Sequence, residues 1–488
     1  LRLSSQQMKL AFHGDKVKVR LLNRKLDAEI VEVTETVSTL VGRLHIDHQR
    51  SYVIVDDKRI KHEIQIVKLL EGCKDNQVVV IEVLTSPTLE KNATGKVTSI
   101  LGNYLDEGVE VDSAIHRHQI PSIFGEKALQ ESANLPTKVM PKDKKNRVNI
   151  TNLKLVTIDG EDSRDFDDAV YAIPSENGWK LIVAIADVSH YVKEGTELDS
   201  ESLERGNSVY FPHRVVPMLP EAISNGLCSL NPKVERLCMA CEMEIDSLGS
   251  LLNYKFYPAV MLSHARLTYT EVNEMLENKE SPLRKKYSRI KENVDYLYGL
   301  YQTLRISRQK RGVMDFDRIE SQILFDGKGK IENIVARKRN DAHKLIEEFM
   351  LMANQAAAKY LQSENEDFLY RVHPKPTPEK VEITRQFLTA IDLRLDGGLE
   401  PDTSDFAKLL KKAIGREDEN IIKTVVLRTM KQATYTPKNE GHFGLAFEDY
   451  AHFTSPIRRY PDLLVHRAIK RSLSNKKREQ SQRMAEMG

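Results

Sequence analysis

Cysteine is scarce in this 488-residue chain: Cys73, Cys228, Cys238 and Cys241 are the four it has. They are too few and too scattered for a disulfide framework, which excludes the small stapled secreted domains and fits a reducing, cytoplasmic setting. Cys238 and Cys241 match C-x-x-C, but LCMACEMEI has the texture of a strand. Residues three apart on a strand point to opposite faces, so a shared metal or disulfide there is not expected. Long apolar runs are also missing. No stretch approaches the roughly 18–20 residues of a membrane span, and no signal peptide opens the chain, so no membrane partner is expected. Leu1 is not a natural start, and the chain reads as a fragment. Nor is there an excess of one charge. Lys and Arg total 73 against 71 Asp and Glu, so net charge is +2 and does not by itself announce a nucleic-acid partner. What remains, 40% hydrophobic and 30% charged, suits a water-soluble globular chain of about three domains at roughly 150 residues each.

What the chain does have is one dense acidic stretch, DGEDSRDFDD from Asp159 to Asp168. Asp159, Glu161, Asp162, Asp165, Asp167 and Asp168 place six carboxylates in ten residues. The flanks, Leu155–Ile158 and Ala169–Ile173, read as short buried strands. Like charges at contact raise each other's pKa, so a cluster held between core strands calls for a cation. Oxygen-only ligands suit Mg²⁺, Mn²⁺ or Ca²⁺ rather than zinc. A charge run is more often just a solvated loop, but the flanking strands and the absence of lysine from the cluster favour a shaped site. It is not an EF-hand, which needs a glycine at its sixth position; Gly160 falls elsewhere.

Ahead of this stretch, residues 8–36 read as two alternating strands with basic outer faces. Val41–His45, Tyr52–Val55, Ile64–Val67, Val78–Val83 and Lys96–Leu101 follow as five short strands, the pattern of an OB or cold-shock barrel. Arg43, His45, Arg50, Tyr52, Lys58, Arg59 and Lys61 mix basic and aromatic groups as a single-strand binding face requires, although exposed strands also carry such residues for solubility. Residues 103–150 form a connector. From 151 to about 473 the texture is α+β, with Trp179–Ala186 a central buried strand and helical periodicity over 270–312, 339–363, 377–395 and 456–474.

Other polar residues stand out. Asp187 closes the central strand and reads equally as outer support for the metals or as a turn residue. Tyr210-Phe211-Pro212 is a rigid stretch that suits either a base-stacking platform or a loop capping the core. Asn340, His343 and Glu347 fall on one helix face, which lines a cleft or, as is commoner, meets solvent. Near the end, Thr454 or Ser455 is placed to cap the next helix with Pro456 in its first turn, aiming backbone N–H groups and Arg458 outward as an anion site. An acidic metal loop and such an arginine together suit phosphodiester hydrolysis.

TIDGEDSRDFDDAV, AIADVSHYV, SVYFPHRVVPMLPE, SNGLCSLNP, SHARLTYTEV, RNDAHKLIEE and HFTSPIRRYPDLLVHRAIK together resemble the RNB-domain exoribonucleases, the ribonuclease II/R family, over roughly residues 8–474. The resemblance implies an α+β catalytic RNB domain preceded by all-β OB/cold-shock barrels. Residues 1–37 would be the end of a first barrel, 38–102 a second, 103–150 the connector, 151–473 the RNB domain and 474–488 a polar stub. It further implies a processive, Mg²⁺-dependent (Mn²⁺ as substitute) 3′→5′ exoribonuclease. Such an enzyme is a cytoplasmic monomer that hydrolyses single-stranded and structured RNA from its 3′ end to nucleoside 5′-monophosphates. The alternative is an inactive RNA-binding member. By the same resemblance Asp159, Asp165, Asp167 and Asp168 hold metal, with Asp167 and Arg458 catalytic. Tyr210, Tyr269, Phe316, one of Glu347 and Glu348, His452 and Ser455 would contact RNA. Family members also carry an N-terminal helical domain, a complete first barrel and a C-terminal OB domain with a lysine-rich tail, none of which is visible in this sequence.

Overall fold

The computed structural model describes residues 1–22, 26–48, 50–314, 320–327, 330–337 and 339–474. Contacts divide the chain into two compact units, the first built mainly from Leu1–Ile123 and the second beginning at Phe124.

In the first unit β1 (Arg2–Leu3), β2 (Lys16–Leu21) and β3 (Asp27–Glu35) form a small sheet in the order β1-β3-β2. The polar face of its antiparallel pair carries cross-strand ion pairs such as Lys18–Glu32 at 2.7 Å. The five strands expected next are present as β4 (Thr39–Ile46), β5 (Ser51–Val55), β6 (Glu63–Lys68), β7 (Gln77–Thr85) and β8 (Thr94–Asn103). They close into a barrel in the order β4-β5-β6-β8-β7. Alternation sets the faces: Val53 and Val55 point into a core with Leu44, Ile64 and Ile81, while Ile54 between them points out. Helix α1 (Val109–Arg117) packs Val109 on Val41, Val78 and Val80. Outside the barrel His45 stacks on Tyr52 with ring centroids 5.2 Å apart, and the Arg43 guanidinium lies 3.7 Å over Tyr104.

The second unit opens with α2 (Glu126–Ala133) and is built on a seven-stranded sheet. Its strands are β9 (Val148–Asn149), β10 (Val156–Asp159), β11 (Asp168–Ser175) and β12 (Gly178–Ala186). After α3 (Val188–Tyr191), α4 (Glu197–Arg205) and the hairpin β13 (Val209–Tyr210)–β14 (Val215–Val216) come β15 (Glu235–Asp246), β16 (Leu251–Leu262) and β17 (Ala265–Thr268). The spatial order is β17-β10-β11-β12-β15-β16-β9. β12 is central and covered on both faces, which is why it reads as a continuous apolar run. Its Leu181, Val183 and Ile185 face one core; Ile182, Ala184 and Ala186 face the other. Cys241 and Cys238 on neighbouring β15 divide between these same two cores, so the C-x-x-C pair is indeed split by the sheet.

Helices α5 (Tyr269–Glu277), α6 (Pro282–Lys286), α7 (Lys291–Arg311) and α8 (Asp341–Ser363) follow. The periodicity over 270–312 is therefore three helices, not one: the chain leaves helical geometry at Asn278, and Ser281 with Pro282 starts a new turn. α8 lies in the first core, its Ala353, Ala356, Ala357 and Ala358 permitting close approach. α9 (Pro378–Thr389), α10 (Thr403–Ala413) and α11 (Glu419–Thr429) make a separate apolar cluster around Phe406 and Leu409. The last helix, α12 (Tyr460–Leu473), starts later than expected. Arg459 is its N-cap residue and Pro461 sits in its first turn, so neither Thr454 nor Ser455 caps it and Pro456 lies outside. Among the described residues no helix is long and apolar enough to cross a membrane.

Candidate active site

β10 delivers the chain into the acidic loop and β11 takes it out, so Asp159 and Asp168 sit at the two strand ends. Hydrogen bonds from the surrounding fold hold the loop between them. Ser229 Oγ donates to the Arg164 carbonyl at 2.8 Å and accepts from the Phe166 N–H at 3.0 Å. Arg266, on β17, donates to the carbonyls of Glu161 at 2.5 Å and Ser163 at 3.3 Å. This is a shaped loop, not a solvated run. Glu161 and Asp162 are exposed on its outside, with Glu161 accepting from Thr270 Oγ1 at 2.6 Å.

Asp159, Asp165, Asp167 and Asp168 all line one cavity of about 340 Å³, together with Tyr210, Tyr269, Glu347, His452, Ser455 and Arg458. Each aspartate has a different environment. Asp159 accepts from Gly160 N–H at 2.7 Å and Ser163 Oγ at 2.9 Å. Asp165 accepts from the Tyr210 hydroxyl at 3.0 Å. Asp167 is buried; its Oδ1 accepts from Ile457 N–H at 2.9 Å and its Oδ2 lies 3.5 Å from Arg458. Asp168 buries its Oδ2 without a hydrogen-bond partner. Burial raises Asp167 well above the usual carboxylate range, against the pull of Arg458 and the Ile457 N–H. Burial, then the charge of Asp159, pushes Asp168 up to about 7, with Arg458 opposing.

The outward-aimed backbone N–H groups expected at the helix start are not found in the turn before α12, where they are already donated within the protein, so of the expected anion site the Arg458 guanidinium remains. Arg458 N–H and Arg459 N–H donate to Ser455 O at 3.3 and 3.0 Å, and the Ile457 N–H of this turn is already given to Asp167. Arg458 Nη2 donates to Ser455 Oγ at 3.1 Å. Burial lowers the Arg458 pKa, but Asp167 and Tyr210 more than reverse this, keeping the guanidinium charged.

Among the described residues no three His, Cys, Asp or Glu groups converge as a ready-made metal cage. Asp159 instead pairs with Ser163, Asp165 with Tyr210, and Asp167 with Ile457 N–H and Arg458. The residues still fit a hard divalent cation: the donors are all oxygens, four share one cavity, and the orphaned Asp168 Oδ2 lacks any partner a neutral site would provide.

Other expected site residues fall as follows. Tyr210 is half exposed at the cavity. Tyr269 has one face stacked on His343, with centroids 4.0 Å apart, and its carbonyl accepts from Asn340 Nδ2 at 3.3 Å. Of the polar stripe of α8, His343 and Asn340 pack against Tyr269 and only Glu347 lines the cavity. Glu347 faces the aspartate cavity, whereas Glu348 is buried away from it, 2.7 Å from Arg308. His452 pairs with the Tyr435 hydroxyl at 2.6 Å, and burial, with Arg459 nearby, pushes its pKa down to about 3. Phe316 lies outside the described residues. Asp187 is neither metal support nor simple turn: it is fully buried between Arg147 at 2.6 Å and Lys470 at 2.5 Å. Sequence reasoning missed Asn354, whose Nδ2 donates to the Tyr450 hydroxyl at 3.1 Å and whose Oδ1 accepts from Phe453 N–H at 2.7 Å. The signal was there, an amide pair, Asn354-Gln355, within the otherwise apolar run FMLMANQAAA.

A closed five-stranded barrel, then an α+β unit whose acidic loop meets an arginine-bearing turn, define a modular protein with a centre suited to phosphodiester chemistry. A model of the RNB domain matches residues 147–475, and one of the cold shock domain matches residues 52–125. The chain belongs to the RNB-domain family. Ribonuclease R of Vibrio cholerae serotype O1 is 48% identical over 475 residues, covering 96% of this chain and 58% of that protein. Ribonuclease R of Escherichia coli K12 is 46% identical over 487 residues, covering 98% and 60%. The chain thus spans about three-fifths of the length of these curated relatives. The GEDSRDFDD form of the acidic loop points to the ribonuclease R branch rather than ribonuclease II, and both relatives carry that name. The solved structure of Mycoplasma genitalium RNase R in complex with ribose-methylated single-stranded RNA matches with a TM-score of 0.90 at 27% identity, covering 97% of this chain and 76% of that one.

Proposed function

We propose that this chain is a processive 3′→5′ hydrolytic exoribonuclease of the cytoplasm that shortens single-stranded and structured RNA to nucleoside 5′-monophosphates. The observation that carries the reading is the junction of Asp167 with Ile457 N–H and Arg458 beside the orphaned carboxylate oxygen of Asp168. The family relationship and the RNA-bound relative support it.

Asp159, Asp165, Asp167 and Asp168 hold Mg²⁺, with Mn²⁺ a substitute. Bound there, the metal supplies water activation and neutralisation of charge on the leaving oxygen. Arg458 faces the scissile phosphate and offsets its developing charge, while Asp167 fixes the guanidinium in place. Tyr210 offers an exposed ring for a base, its hydroxyl anchored on Asp165. Tyr269, already stacked on His343, has only its opposite face to offer the terminal nucleotide. Glu347 rather than Glu348 contacts the terminal ribose, because only Glu347 reaches the aspartate cavity. A contact of this kind to the 2′-hydroxyl disfavours DNA. His452 and Ser455 complete the wall, with His452 neutral.

The test is release of mononucleotide from 3′-labelled single-stranded RNA in Mg²⁺. Asp167→Asn is expected to lower the rate by at least about 10²–10³-fold with RNA binding retained. Label left intact by the unmutated chain would refute the reading.

A further inference from the structure

The turn that carries Arg458 is held at both ends by one carboxylate that the proposed reaction does not use. Asp462 lies in the first turn of α12, is fully buried, and does not line the aspartate cavity. Its Oδ1 accepts from Ser455 N–H at 2.8 Å, where the turn begins, and from Arg459 Nη2 at 2.7 Å, where it ends. Between these ties stand the two groups that meet Asp167: Ile457 N–H, 2.9 Å from its Oδ1, and Arg458, 3.5 Å from its Oδ2. Arg458 Nη2 also donates to Ser455 Oγ at 3.1 Å, so the residue that Asp462 grips is the one that steadies the guanidinium. On the outer side, Ser208 N–H donates to Arg458 O at 3.0 Å and Tyr460 N–H to Gly206 O at 2.8 Å. Those bonds hold the end of the turn, whereas the Ser455 N–H at its start is held by Asp462.

Stability is a poor reason for this arrangement. A buried ion pair repays its desolvation only when its remaining polar atoms are met, and Asp462 Oδ2 and Arg459 Nε are both buried without a hydrogen-bond partner. Burial raises the Asp462 pKa, but Arg459 leads the influences that more than reverse this, so the carboxylate stays charged. What the pair supplies is geometry. A group misplaced by about 1 Å can cost roughly 10²-fold in rate, and the Arg458 side chain starts from the middle of this turn. Resting on the role of Arg458 in the proposed reaction, we propose that Asp462 is a positioning residue. By gripping both ends of the 455–459 turn it sets the Arg458 guanidinium against Asp167 and the scissile phosphate. It touches no substrate, and its effect on the rate passes through Arg458.

A double-mutant cycle separates positioning from a merely structural role. With saturating 3′-labelled single-stranded RNA in Mg²⁺, Asp462→Ala should lower the single-turnover rate at least about tenfold while RNA affinity changes less than about twofold. Asp462→Asn keeps an oxygen for Ser455 N–H, so it should recover part of the loss and fall only about threefold. In Arg458→Ala, where the guanidinium is already gone, both substitutions should add little further cost. If Asp462→Ala does not fold, the Asp462→Asn arm of the cycle carries the test alone. Variants as fast as the unmutated chain, an equal factor in both backgrounds, or a loss confined to RNA affinity would each overturn the positioning role. An unmutated chain that releases no mononucleotide, or Arg458→Ala as fast as that chain, would instead overturn the reaction beneath it.

Discussion

Two buried carboxylates in one unit have opposite surroundings. Asp187, at the end of the central strand, has fixed partners: Arg147 from the segment before the sheet, Lys470 from the last helix, and Ser189 Oγ at 2.9 Å. Burial alone would raise its pKa, but Lys470 and Arg147 drive it far below the usual carboxylate range. Asp168, at the start of β11, has a buried Oδ2 with no hydrogen-bond partner, and its pKa is pushed the other way, to about 7. Where the chain supplies the counter-charge, the carboxylate is structural and ties three distant segments together. Where it supplies only the opposing charge of Arg458 and no hydrogen bond to Oδ2, the carboxylate keeps an oxygen open to a cation.

The largest effect that can break this contrast is on stability. Asp187→Asn leaves Arg147 and Lys470 buried with reduced compensation, and should cost about 3–5 kcal/mol in denaturant unfolding. Asp168→Asn, measured at pH 8 in EDTA, removes a buried charge that Arg458 only partly offsets and should stabilise by about 1–3 kcal/mol. Two destabilised variants would mean that Asp168 has a structural partner after all, and the distinction would fall.

The same contrast explains what the sequence made legible. Apolar alternation is a local signal, so the five barrel strands, the buried β12 and the split of Cys238 from Cys241 could all be read directly. The acidic loop was legible because its four cavity-lining aspartates and both flanking strands lie within one short segment. The partner of Asp187 was not, since Lys470 is 283 residues away and helix periodicity says nothing about which strand end a lysine will meet. The turn at 455–459 was misread for a related reason. Ser and Pro before an apolar run carry a helix-start signal, but Ile457 N–H is taken by Asp167, which is 290 residues away, and the helix waits for Tyr460. Which of Glu347 and Glu348 lines the aspartate cavity likewise depends on how α8 is packed, and Arg308, which pairs with both, does not separate them.

The next effect sharpens the contrast by supplying the missing charge. Mg²⁺ should stabilise the unmutated chain by about 2.7 kcal/mol when present at a hundred times its Kd. In Asp168→Asn the gain should shrink markedly, while other folded-state properties persist. Thermal unfolding with and without EDTA checks this, and an equal Mg²⁺ gain in both proteins would remove Asp168 from the metal set.

The smallest effect is a pH slope in which the two kinds of buried group oppose each other. His466 is buried, makes a 2.8 Å contact from Nε2 to Phe453 O, and has its pKa pushed by burial down to about 4; His442 is pushed to about 3. Unfolded, both titrate near 6.5. Below that pH the unfolded chain binds the protons first, so each histidine removes up to about 1.4 kcal/mol of stability per pH unit on acidification. Metal-free Asp168 has the reverse sign. Its folded pKa of about 7 lies above its unfolded value, so acidification from pH 7 toward 4 restores stability that its charge had cost. In EDTA the two trends partly cancel between pH 6.5 and 5. Mg²⁺ bound at Asp168 removes the acid-stabilising contribution and leaves the histidine slope exposed. Stability should therefore fall more steeply with acid in Mg²⁺ than in EDTA, and His466→Gln should flatten both curves by up to one histidine's share. A slope that is the same with and without Mg²⁺ would show that the charge on Asp168 is not the one the metal relieves.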